Sequence, residues 1–199
     1  LPAFESILKN VGKCDQYISL GDIVNYGPWS NECVDLALSL KNSICIMGNH
    51  DIAYLNRQYT GEHSLVIQFF QHTIECFDRY EQISSFITEY QLNQYKCIHT
   101  INKQYVYPDT EIILDNNYLI GHSHHQFCYQ NNNFVLYNAG SVGQNRKIIN
   151  IANYLVFYPE ENKIEMRYVK YDVDVVIQKM KSMKYPEECI AYYLNKEKA

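Results

Sequence analysis

The sequence predicts an α/β protein with two packed β-sheets flanked by helices. Three observations predict it. Runs of helical and of strand spacing alternate through the first half of the 199 residues. The strand-like runs end in polar, Gly-led motifs, and the second half is built from pairs of strands around turn residues. A hydrophobic content of 47% marks a globular chain that can bury a real core.

The elements follow in order. Pro2, Phe4, Ile7, Leu8 and Val11 have helical spacing, with Pro in the first turn. Tyr17-Ile18-Ser19-Leu20 reads as a short strand ending at Gly21-Asp22. Residues 28–41 read as a helix with Cys33, Leu36, Ala37 and Leu40 on one face. Ile44-Cys45-Ile46-Met47 is the next strand, ending at Gly48. This order predicts βαβ units with a right-handed crossover. Residues 64–83 read as one helix, with Leu65, Phe69, His72 and Cys76 on a common face. The segment near 53–85 sits where a small helical cap would cover a cleft; the alternative is core packing. Strands at 86–92 and 95–100 flank Asn93-Gln94, and Tyr118-Leu119-Ile120 ends at Gly121-His122. Two strands flank Asn131-Asn132-Asn133, a run suited to a turn. Strands at 154–158 and 164–170 flank Pro159-Glu160-Glu161-Asn162, and helix returns from Val173. With no internal repeat, low-complexity run or linker, residues 1–199 read as a single domain.

The net charge of −5 gives no electrostatic reason to expect nucleic acid or an anionic membrane. No apolar stretch approaches the roughly 20 residues of a membrane span, and no signal peptide leads the chain. The first residue is Leu, so the natural start is expected to lie upstream. Seven scattered cysteines, with no Cys-x-x-Cys, fit buried free thiols in a reducing, cytoplasmic compartment.

Three motifs carry chemistry. Asp22 ends an apolar strand, where a carboxylate can bridge two cations; a turn aspartate is the plain alternative. In Gly48-Asn49-His50-Asp51, Asn49 offers a neutral oxygen and His50 an imidazole poised near neutral pH. Asp51 there can cap the following helix. Gly121-His122-Ser123-His124 places two imidazoles on one side of an extended segment, suited to one ligand for each of two neighbouring metals. Together these loops predict a dinuclear metal centre for phosphoester hydrolysis.

The chain resembles the calcineurin-like metallophosphoesterase superfamily, in its small prokaryotic phosphodiesterase branch. The matching stretches are Gly21-Asp22-Ile23-Val24-Asn25-Tyr26-Gly27-Pro28 with Asn31-Glu32-Cys33, then Gly48-Asn49-His50-Asp51, His99, Gly121-His122-Ser123-His124, and Asn138-Ala139-Gly140-Ser141-Val142-Gly143-Gln144. Tyr171-Asp172-Val173 and Pro186-Glu187-Glu188 resemble the C-terminal end of that branch. The resemblance implies a four-layer α/β/β/α sandwich. It implies that Asp22 bridges two divalent metals, that Asn49, His99 and His122 complete one site, and that His124 serves the other. His50 would protonate the leaving group or stabilise the phosphoryl oxygens. The metals would polarise the phosphate and hold the attacking hydroxide. The donor types suit Mn²⁺, Fe²⁺, Zn²⁺ or Ni²⁺.

There are departures. The family opens with a strand and an Asp-x-His motif ahead of a helix like the one at 2–11, and these 199 residues hold neither. The expected fold therefore has its first strand missing and an open sheet edge. The first metal site keeps four ligands and the second keeps Asp22 and His124; a chain native as given is expected to be mononuclear and weak, or inactive, whereas the favoured reading, a start lying further upstream, would restore the ligands of a two-metal centre. Thr100, Asn25 and Asn145 replace residues usual in the branch. Arg146 is either a bidentate phosphate grip or a surface side chain. His63 reads as surface, His72 as helix face, and His125 as surface or cleft lining. The expected partner is a small phosphoester, with a homo-oligomer possible through the apolar face of helix 65–77. The competing reading is a catalytically impaired scaffold on the same fold, as in a subunit of the retromer coat.

Overall fold

The computed structural model describes residues 1–131 and 133–199. Helix α1 (Pro2–Val11) carries Pro at its first turn and stops at Gly12, whose φ of 72° favours glycine. Strand β1 (Tyr17–Ser19), helix α2 (Ser30–Ser39) and strand β2 (Ser43–Cys45) form the expected βαβ unit. The two strands run parallel, with Tyr17 opposite Ser43 and Ser19 opposite Cys45.

Helix α3 (Asn49–Leu55) follows at once. The single helix expected over 64–83 is two, α4 (Ser64–Ile74) and α5 (Tyr80–Ser84). The break has a local cause. Asn31 of α2 donates through Nδ2 to the Cys76 carbonyl at 3.0 Å, and its Oδ1 accepts from the Asp78 N–H at 3.2 Å. A side chain from another helix thus replaces the intrahelical partners.

The strand expected over 86–92 is also divided. Ile87 bridges Ile46 in parallel, while β3 (Glu89–Leu92) pairs antiparallel with β4 (Tyr95–Ile98). One extended segment thereby passes from the β1–β2 side to a five-stranded sheet of order β3-β4-β5-β7-β6. Its other members are β5 (Asn117–Ile120), β6 (Gln126–Asn131) and β7 (Phe134–Ala139). Of the expected Asn131-Asn132-Asn133 turn, Asn132 lies outside the described residues. Strands β8 (Ile151–Tyr158) and β9 (Lys163–Lys170) pair antiparallel, followed by α6 (Val173–Ser182) and α7 (Glu187–Leu194).

The sheets pack face to face. Ile18, Ile46, Leu155 and Phe157 from one layer meet Tyr95, Cys97, Leu119 and Tyr137 from the other. Outside the β8 face, α1, α4, α6 and α7 share a core containing Phe69, Met180 and Tyr193. Val66, Phe69 and Phe70 of α4 point into packed clusters, which is the core-packing alternative for that segment. The outer face of the five-stranded sheet lies under the irregular segment 100–116, through Ile101, Val106 and Leu114. Beside β1 lies a cavity of about 880 Å³, lined by Ile18 of β1, the following Leu20, and Leu155 and Phe157 of β8. Among the described residues, no helix is long and apolar enough to cross a membrane.

Candidate metal centre

Parallel pairing sets the site. Strands β1 and β2 end together in the Gly21-Asp22 and Gly48-Asn49 loops, and the parallel neighbours β4 and β5 end together at His99 and Gly121-His122. The two pairs of ends meet where only glycine fits. A Cβ on Gly21, at φ 97°, would stand 2.5 Å from His99 Nδ1, and one on Gly48 would overlap the Asp22 carboxylate and main-chain nitrogen. Asp22, His122 and His124 hold left-handed φ values of 57°, 67° and 61°. Such angles persist only where the surroundings over-determine them.

Asp51 is the clip between the first two loops. It is fully buried, and its carboxylate accepts from the N–H groups of Gly48 and Asp22 at 2.8 Å each, Ile23 at 3.1 Å and Val24 at 3.4 Å. The expected cap is present through the Gly48 bond, and the carboxylate does more than cap. Burial and the Asp22 charge push its pKa up to about 6, against the N–H groups aimed at it. Buried Asn138 performs the matching task on the other sheet, donating to the Gly121 carbonyl at 2.7 Å and the Ser123 hydroxyl at 3.0 Å.

Four predicted residues converge. His99 Nε2 lies 3.2 Å from Asp22 Oδ2, 3.1 Å from Asn49 Oδ1 and 3.0 Å from His122 Nδ1. The Leu20 carbonyl, 2.7 Å from His99 Nδ1, takes the ring proton there and leaves Nε2 facing the cluster. Burial works against the Asp22 charge, but the His99 charge and hydrogen bond hold its carboxyl well below the usual range. Burial likewise opposes protonation of His99, and the Asp22 carboxylate reverses this and raises it. Burial, with the His99 charge, pushes His122 down to about 4, so its ring is a neutral donor. Donors about 2.1 Å from one ion and at right angles to each other lie about 3 Å apart, the spacing observed from His99 Nε2 to each of the other three, and the Asp22, His99 and His122 donors all lie within 4.8 Å of one another. One carboxylate, one amide and two imidazoles therefore fit a divalent cation.

His124 stands outside this group. Its Nδ1 faces the main-chain carbonyl and Oε1 of Gln144, each at 3.0 Å, so the proton resides there and Nε2 remains a free donor. Burial and the Arg146 charge push it down to about 3. The expected alternation along an extended segment is corrected: β5 stops at Ile120, and both histidines hold left-handed φ values in place of extended backbone. Among the described residues, the close group of potential ligands is Asp22, His99 and His122, joined by the Asn49 amide.

His50 borders the cluster. Its main-chain N–H donates to Asp22 Oδ1 at 2.8 Å. Its Nδ1 accepts from Asn25 Nδ2 at 2.9 Å, which places the proton of the neutral ring on Nε2, 3.4 Å from the Tyr26 hydroxyl. Burial lowers its pKa. Tyr59 stacks on the His50 ring with planes 2° apart. Arg146 is half-buried, donates to the Tyr192 hydroxyl at 3.2 Å and lies 6.0 Å from the Tyr26 ring centre. His63 is exposed, His72 packs on Tyr185, and His125 bonds the Ser123 carbonyl.

Sequence reasoning missed Asn25, Gln144, Tyr59 and Tyr105 as parts of this site. Asn25 and Gln144 lie inside the quoted motifs. Tyr59 and Tyr105 sit in irregular stretches without any motif, and Tyr105 stacks on His122 at 4.0 Å.

The chain is similar to known proteins in sequence and in fold. The calcineurin-like phosphoesterase family model matches residues 1–178. An uncharacterised protein of Methanocaldococcus jannaschii is 30% identical over 210 residues, covering 90% of this chain and 86% of its own length. A metallophosphoesterase crystal structure from Sphaerobacter thermophilus superposes with a TM-score of 0.79 at 23% identity, over 97% of this chain and 93% of its own. A hypothetical protein from Pyrococcus horikoshii gives 0.78 at 18% identity, over 100% and 94%. The likeness to these two structures shows the fold, and the family match extends through every ligand-bearing loop from Asp22 to His124: the chain belongs to the calcineurin-like phosphoesterase family.

Proposed function

We propose that this chain is a metal-dependent phosphoesterase acting on a small phosphodiester or phosphomonoester in the cytoplasm. One observation carries the reading: Asp22, Asn49, His99 and His122 converge at ligand spacing, with the main-chain N–H of His50 bonded to the same Asp22 carboxylate. When bound, the ion supplies positive charge that polarises a phosphoryl oxygen and acidifies water. The four donors suit Mn²⁺, Fe²⁺, Zn²⁺ or Ni²⁺, and Asp22 with His124 offers two ligands toward a second ion. The protein's own part is orientation and proton supply. Leu20 and Gln144 fix the tautomers of His99 and His124, so that each presents Nε2. His50 presents an N–H at Nε2 that can hydrogen-bond a phosphoryl oxygen, and in its doubly protonated form the ring can hand one proton to the departing alkoxide and return to the neutral imidazole. Arg146, stationed beside Tyr26, offers a second positive group to phosphate.

The test is metal content by elemental analysis together with Mn²⁺-stimulated hydrolysis of bis(p-nitrophenyl) phosphate. The reading expects at least one ion per chain and a fall in kcat of about 10²- to 10⁴-fold in His50→Ala. Asp22→Asn should lose both the ion and turnover. Bound metal without turnover would point to the scaffold alternative, and absence of both would overturn the metal site.

A further inference from the structure

We propose that Tyr59, Tyr105 and Tyr107 form an aromatic rim that stacks on the substrate, so that the preferred phosphoesters carry a nucleobase or another flat ring. This rests on the phosphoesterase reading and names its substrate class. Each of the two imidazoles nearest the reacting position is covered by a tyrosine. Tyr59 lies parallel to His50 at 5.6 Å between ring centres, and Tyr105 lies over His122 at 4.0 Å and 25°. Tyr107 continues the series, 6.1 Å from Tyr105 with planes 11° apart, and meets His125 edge-on.

The segment that carries two of these rings is anchored by other side chains. In Tyr105-Val106-Tyr107 the alternation turns Val106 into the core with Ile101 and Leu114, and turns both tyrosines outward. They are 51% and 39% exposed, a large apolar area to leave in water beside a cleft. Core packing therefore does not account for them. Tyr59 and Tyr105 lie against His50 and His122, whose own neighbours include Asp22 and His99, so both rings border the candidate metal site. Tyrosine faces are flat, rigid and tolerant of ring identity, which suits stacking on a base without reading its edge.

The experiment compares binding of AMP and ribose 5-phosphate to the Mn²⁺-loaded chain by calorimetry. The two share phosphate and sugar and differ by the base. The expected result is AMP binding about tenfold tighter or better. That preference should shrink toward one in Tyr105→Ala and persist in Tyr105→Phe, which keeps the ring and serves as a fold control. Equal affinities, or a preference untouched by Tyr105→Ala and Tyr107→Ala, would overturn the rim. Hydrolysis of aryl and nucleotide phosphoesters in the same preparation separates the two readings. A base preference without turnover overturns the phosphoesterase and leaves the rim. Turnover without a base preference does the reverse, and absence of both overturns both.

Discussion

Asn25 occupies a backbone angle, φ 79°, that few side chains accept, and spends its amide on His50. Its Oδ1 faces the Thr73 hydroxyl at 3.5 Å, which orients the amide so that Nδ2 is the atom donating to the ring. Removing that donor frees the imidazole to exchange tautomers and rotate. Glycine tolerates the same φ, so Asn25→Gly isolates the amide from the backbone. The expected outcome is a fall in kcat of about 10- to 100-fold, with KM and thermal midpoint nearly unchanged, read by steady-state kinetics and a melting curve. A proportional loss of stability would instead make Asn25 structural. Of the proposed ligands, Asp22, Asn49 and His122 were legible because each follows a glycine just past a strand, whereas His99 follows β4 with no glycine to mark it. Their partners were less so. Gln144 lies 20 residues from His124, and Tyr105 reaches His122 only through an irregular segment that no periodicity describes.

Among the elements, the loop after β1 and the start of α3 act as one unit through Asp51. Four main-chain N–H groups converge on its carboxylate. Asp51→Ala should cost about 3 kcal/mol or more in urea unfolding, since buried donors stripped of their acceptor carry the full desolvation penalty. It should also weaken metal binding, because Asp22 belongs to the loop that is released. A small change in urea midpoint would show that water replaces the carboxylate. Strand and helix identity was readable at this scale from apolar spacing, and α1, β1, β8 and β9 lie close to their expected places. The errors were interruptions. The helix over 64–83 is broken by Asn31 of α2, and the strand over 86–92 changes partner between Ile87 and Glu89. Both causes lie far away in sequence, and local pattern carries no trace of them.

Over the whole molecule, the metal-free protein should lose stability as the pH falls. His122, held near 4, and His124, held near 3, have folded pKa values below the ordinary 6.5, so the unfolded chain binds more protons once the pH drops below 6.5. Asp51 and His99, both raised, act in the opposite sense, but the two depressed histidines carry the larger shifts and His50 adds to them. The thermal midpoint of the chelator-treated chain should therefore be lower at pH 5 than at pH 7, and Mn²⁺ should raise it most at pH 7. A midpoint flat across this range would mean that these rings are hydrated in solution. The sheet sandwich was legible in outline; which faces meet depends on contacts such as Ile46 with Ile87, which only the folded chain reveals.

The segment from Ile87 to Leu92 is bonded to β2 at one end and to β4 at the other, and the proposed ligands divide along the same line. Asp22 and Asn49 ride on the layer of β1 and β2, while His99 and His122 ride on the layer of β4 and β5. A cation held by all four is then a rivet across the seam between the layers. Loading the ion and closing the sandwich become one coupled equilibrium, so a disturbance that slides one layer past the other registers first as a change in cation affinity.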